Sequence, residues 1–166
     1  MKRSSLKTLF ILLVIAAAQL SYAQPKDFSN SITVGITTPI LDEGAGIHVG
    51  VNPAVLFSHR FAFEGQISFM RTKIKSAVAS GRMGRINSVN ILFGPRLYLI
   101  SREKPTRLYL NVLLGGNYNR EQHERIQFEN HQLGFSVGAF LEVHQFLLGL
   151  SLDAPENLVV KAGFVF

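Results

Sequence analysis

The feature that most constrains this chain is an every-other-residue alternation of side chains that recurs in eight segments. In residues 31–37, Ile32, Val34 and Ile36 oppose Thr33, Gly35 and Thr37. In 46–57, Ile47, Val49, Val51 and Val55 oppose His48, Gly50, Asn52 and Ala54. The same two-sided pattern fills 61–73, 86–100, 107–118, 131–142, 145–152 and 158–166. A period of two marks strands with two unlike faces, and no stretch of the chain after residue 23 carries a helical period. The connections 38–45, 74–85 and 119–130 are long, and 58–60 and 143–144 are tight. Alternate connections of an up-and-down sheet lie at opposite ends, so one end is expected to carry turns and the other loops.

Alternation alone does not say which face is outside. A water-soluble barrel hides its apolar face and shows a strongly polar one. Here the second face is mostly Gly, Ser and Asn with isolated charges, which suits the inside of a narrow eight-stranded barrel. The other face is aliphatic and Phe, which suits hydrocarbon. In lipid every backbone polar group must be paired, so a strand-built span has to close on itself. Segments of about ten residues match the crossing length of a tilted strand. The expectation is a single all-β domain, an eight-stranded antiparallel up-and-down transmembrane β-barrel. Leu56, Leu92, Phe140 and Leu147 interrupt the small-residue face, and Pro53 and Pro95 imply a bulge or local break in pairing. Phe57, Phe61, Leu99, Phe146 and Phe166 all face outward at the turn end, either as an aromatic girdle or simply as apolar area.

The first 23 residues have the layout of an export signal. Lys2, Arg3 and Lys7 precede the apolar run Leu9–Ala18, and Ser21-Tyr22-Ala23 supplies small residues at a cleavage site. Residues 1–23 are expected to be a signal peptide and 24–166 the barrel domain. The leader carries three of the seventeen basic residues and none of the eleven acids, so the net charge falls from +6 to +3 on cleavage. That balance gives little support for a nucleic-acid partner. With no Cys the chain has no disulfide, thiol nucleophile or Cys-based metal site.

Taking Ser58-His59-Arg60 as a turn places His48 near Met70 and Asn52 near Gln66. Carrying the register across 74–85 brings Glu64 level with Arg96, both facing inward. An interior ion pair is expected there, because a buried charge needs a partner. Glu142 and Lys161 also face inward and are expected to join a network with Arg107. Such charges either gate a pore or plug the lumen, and the narrow bore of eight strands favours the plug. Arg71, Lys73, Lys75, Arg82 and Arg85 cluster at the second long loop with no acid among them. They are candidate contacts for lipid phosphates, or a solvated basic loop. Ser58 and His59 are adjacent and cannot share a face, and His131 and Ser136 fall on opposite faces, so no nucleophile–base pair is expected. The eight residues separating His123 and His131 are not a recognised metal-ligand spacing, despite Glu121, Glu124 and Glu129 nearby.

The final strand Leu158–Phe166 ends the chain on an aromatic residue. Together with the leader, the Ala23-Gln24 junction, the strand layout and Gly94-Pro95-Arg96-Leu97-Tyr98, it resembles the outer-membrane β-barrel domain family of the Bacteroidota, the PorT-like proteins, over residues 29–166. That resemblance implies an integral protein of the bacterial outer membrane with no cofactor and no shared catalytic activity. It implies a terminal strand, with Phe164 and Phe166, that barrel-assembly machinery reads, and outer-membrane lipid as the surroundings. Its function would be structural or interactive, through loops 38–45, 74–85 and 119–130. The alternatives are a secreted lipocalin-like barrel holding a small apolar ligand, and an outer-membrane lipid-modifying enzyme.

Overall fold

A computed structural model describes residues 28–40, 43–75, 83–101, 103–123, 126–154 and 157–166. The expected signal peptide, 1–23, and Arg82 lie outside the described residues. Eight strands follow one another: β1 (Phe28–Pro39), β2 (Glu43–Leu56), β3 (Phe61–Lys75), β4 (Met83–Tyr98), β5 (Thr106–His123), β6 (Ile126–Val143), β7 (Phe146–Asp153) and β8 (Asn157–Val165). Each pairs antiparallel with its sequence neighbours, and β8 pairs with β1, so the sheet is a closed up-and-down barrel. Following partners around the barrel from Ser29 through Ala54, Glu64, Gly94, Leu113, Ser136, Asp153 and Asn157 returns to β1 at Pro39, ten residues further along. That stagger tilts the strands by about 40° and leaves a bore that side chains can fill.

The side chains sort as the alternation requires. Ile36, Ile67, Leu133 and Leu148 point outward and are 67, 58, 74 and 60% exposed, while Thr37, His48, Glu64, Arg96 and Lys161 point inward and are buried. A belt of exposed aliphatic and Phe side chains around a buried polar axis reverses the distribution of a water-soluble barrel. The prolines do break pairing locally, without a bulge. The β2–β3 ladder skips Asn52 and Pro53 and the β4–β5 ladder skips Gly94 and Pro95, yet each resumes in the same register. Proline has no N–H to give, and each remains aligned on its other side, Pro53 with Asn30 and Pro95 with Phe63.

The connections differ from expectation. The segments read as loops 38–45, 74–85 and 119–130 contract to 40–42, 76–82 and 124–125, because β3 runs to Lys75, β5 through His123 and β6 from Ile126. The ends of the barrel therefore differ in strand overhang more than in loop length. The residues there, such as Asn119, Arg120, Glu129 and Asn130, pair regularly but are polar on both faces, so the two-sided signal fades where the sheet leaves the hydrocarbon.

Both described chain ends sit on one rim, where Asn30 and Phe166 exchange two backbone hydrogen bonds of 3.1 and 2.9 Å. The interruptions of the small-residue face are a plug at that end. Tyr98, Tyr109, Phe140, Leu147, Ala54, Ala62 and Val165 form one buried cluster with Leu56 packed on it. Phe140 stacks on Tyr109 at 5.1 Å, and its ring occupies the space that side chains at Gly138 and Gly149 would need. Leu92 is buried beside Gly134 in the same large-against-small manner.

Candidate functional site

The densest polar constellation lies inside the barrel, directly on the plug. Glu64 of β3 is fully buried, and Arg96 of β4 donates from Nε to its Oε2 at 2.8 Å. The pair is diagonal: Glu64 stands opposite Gly94, and Arg96 opposite Ala62. Asn111 of β5 adds a second donor to Oε2 at 3.1 Å, and Asn52 of β2 donates to Oε1 at 2.8 Å. Three donors on one carboxylate satisfy a charge that burial would otherwise make costly. Asn52 also reaches the Gln66 Oε1 at 3.2 Å, and Gln66 passes a donor on to Ser68 Oγ at 3.1 Å. The Arg96 guanidinium lies 4.3 Å from the Tyr109 ring centroid and donates from Nη1 to Tyr98 Oη at 3.0 Å. One cation thus ties the polar network to the aromatic plug.

Arg107 and Glu142, opposite each other on β5 and β6, form a second ion pair at the rim. Arg107 also donates from Nε to the Lys104 carbonyl at 3.2 Å. Lys161 does not join them, contrary to the sequence expectation. Its register places it opposite Gly149 and Gly35, deeper than Glu142, with the Phe140 ring 5.8 Å from its Nζ. Its Nζ instead lies 2.8 Å from Oδ2 of Asp153. The His48 Nε2 is 3.6 Å from the same oxygen, and Ser136 Oγ donates to Oδ1 at 2.6 Å. Asp153 was assigned to a connection by its sequence, although one more step of the alternation Leu147, Gly149, Ser151 would have put it on the inward face. Ser136 and His48 meet the same carboxylate from two sides. The hydroxyl therefore lacks the imidazole contact that would activate it as a nucleophile.

The basic cluster lies on the outer surface. Arg71, Lys73 and Lys75 of β3 are exposed on its outward row, and Arg85 of β4 points the same way. Lys73 stands directly opposite Arg85, and Lys75 lies 3.7 Å from Glu43. Phe164 faces outward with its ring edge-on to Phe146 at 6.1 Å. His131 lies against the Tyr118 ring at 4.8 Å, tilted by 44°, and Glu124 lies outside the described residues.

The architecture has solved counterparts. Ail, the attachment invasion locus protein of Yersinia pestis, solved in complex with the heparin analogue sucrose octasulfate, superposes with a TM-score of 0.53 at 13% identity, covering 84% of this chain and 99% of its own. Neisserial surface protein A superposes with a TM-score of 0.54 at 12% identity, covering 83% of this chain and 94% of its own. No protein-family model matches the sequence, and a search of characterised proteins gives no significant match. Fold and outward apolar belt together define an eight-stranded β-barrel of the outer-membrane type. At these identities the likeness speaks for the architecture and leaves the role to be argued from the molecule itself.

Proposed function

We propose that this protein is a resident of a bacterial outer membrane, exported by residues 1–23, whose role is structural or interactive and is exerted by its outer surface rather than by a pore or a reaction. The observation that carries this reading is the filled lumen: Tyr98, Tyr109, Phe140 and Leu147 pack it at one end, with the Arg107–Glu142 pair on their rim side and the Glu64–Arg96 and Lys161–Asp153 pairs on the inner side. A barrel whose described residues pack the lumen acts through what it presents. The rim with both described chain ends is taken as periplasmic. The opposite rim, with the overhanging β5–β6 hairpin and the connections 40–42 and 76–82, faces outward from the cell and meets partners. The terminal strand, with Phe164 and Phe166, serves as the signal for barrel-assembly machinery, and Arg71, Lys73, Lys75, Arg82 and Arg85 contact lipid phosphates. The likeness to PorT-like proteins of the Bacteroidota fits this assignment.

Fractionation with boiled and unboiled gels tests it. The chain is expected in the outer-membrane fraction, with a mobility shift on boiling and no release by high salt. In planar bilayers the native protein is expected to give no conductance steps, and Tyr109→Ala/Phe140→Ala to give them. A native protein that conducts, or that stays monodisperse in water without detergent, would overturn the proposal.

A further inference from the structure

We infer that the outward surface of β4, β5 and β6 holds an anionic phospholipid, with an acyl chain in a slot over Gly116 and its headgroup on the basic rungs above. The inference names the lipid contact of the reading proposed above and rests on it.

The slot is a gap in the apolar belt. Gly116 of β5 points outward, opposite Ile91 of β4 and Leu133 of β6. A Cβ built there would meet nothing within 4 Å, whereas the outward Gly65 is covered by Phe93 and Pro53. A cavity of about 240 Å³ opens over Gly116, walled by Val89, Ile91, Tyr118 and His131. The Tyr118 and His131 rings, in contact at a tilt of 44°, cap it. Rings with a polar edge belong at the boundary between hydrocarbon and headgroups, so the slot lies just inside that boundary.

The rungs above the cap are cationic. From Ile91 the outward row of β4 rises through Val89 and Asn87 to Arg85, about 20 Å along the strand. Beside it on β3 stand Arg71, opposite Asn87, and Lys73, opposite Arg85. Like charges placed directly across a ladder destabilise it unless something negative lies between them. Arg85 also buries its Nε without a hydrogen-bond partner. On the outward rows Glu43 pairs with Lys75 and Glu129 with Arg120, while Glu121, opposite Ile86, falls on the inward row of β5. A phosphate answers the charge, and its tail answers the slot, on one continuous face running from hydrocarbon to headgroup level.

The chain has no tryptophan, so Leu133→Trp creates a unique reporter at the slot. The variant is folded into phosphatidylcholine vesicles containing tail-brominated phosphatidylglycerol or, in parallel, tail-brominated phosphatidylcholine. The anionic lipid is expected to quench the indole at a roughly tenfold lower mole fraction than the zwitterionic one. Adding Arg71→Gln, Lys73→Gln and Arg85→Gln should erase that preference, and Gly116→Leu should lower the quenching reached at saturation. If the triple variant loses its boiled-gel shift, high salt acting on Leu133→Trp alone serves instead and should collapse the preference. Equal quenching by the two lipids, or a preference that survives both treatments, would sink the lipid site. Absence of quenching by either lipid would instead overturn the membrane reading.

Discussion

The two halves of the lumen solve one packing problem differently. Near the chain ends the bore is filled by rings, and the charges there are held rigidly: Glu64 accepts from Arg96, Asn52 and Asn111, and Arg96 is pressed on Tyr109. Further along, short hydroxyls and amides dominate the filling, with Met70, Leu92 and Leu113 set singly among them. Asn117 donates to Asn90 and accepts from Gln132 at 3.2 Å, while Thr37 and Ser151 are buried with hydroxyls that find no partner among the described residues. Asp153 holds Lys161 closely and His48 at 3.6 Å. The first half is fixed by shape and the second by polarity. Shape cannot yield when a partner is lost. A region of small polar groups can turn a hydroxyl, or admit water, to meet a stranded charge.

That contrast sets a ranking that mutation can break. Glu64→Ala strands Arg96 among rings and is expected to cost about 3–5 kcal/mol, read from urea unfolding in lipid vesicles followed by circular dichroism. Glu64→Ala/Arg96→Ala should recover part of that loss. Asp153→Ala strands Lys161 in the polar half and should cost less, about 2 kcal/mol. Equal losses for the two carboxylates would abolish the distinction between the halves. Gly149→Ala pushes a methyl into the Phe140 ring and should cost about 1–2 kcal/mol, whereas adding a methyl to a buried small residue of the far half, Ser151→Thr, should be milder in the same assay. The smallest effect lies at the rim. His144 in the β6–β7 turn has φ 57°, and His144→Gly should add about 0.5–1 kcal/mol by relieving it, seen as a higher temperature for the boiled-gel shift.

Much of this was legible because a barrel wall reads residues one at a time. Each inward or outward assignment follows from parity, so Glu64, Arg96, Arg107 and Glu142 could be placed inside, and centring the β3–β4 connection on 74–85 carried the register close enough to bring the first two together. Parity was silent on depth. Lys161 and Glu142 share a face but sit at different heights, and only the stagger of the closed sheet separates them, with Phe140 between. Asp153 was lost because aspartate beside Ala154-Pro155 reads as a turn, although it completes the inward row of β7. The loops were overestimated for a related reason. Where strands emerge from hydrocarbon both faces become polar, and regular pairing leaves no trace in hydropathy. The slot at Gly116 had no signal at all, since a glycine on a lipid-facing row looks the same whether or not its neighbours cover it.

The seam between β1 and β8 joins Asn30 to Phe166, the most distant partners among the described residues. Every other ladder links consecutive strands and can zip locally, but this one must wait for nearly the whole polypeptide to be in place. Ordering so long an intervening chain before its contacts are gained makes closure the entropically late event. Until it happens two raw edges face the surroundings, at risk of joining a stranger. The time between the first hairpin and that last handshake is therefore when the chain is most open to wrong pairing.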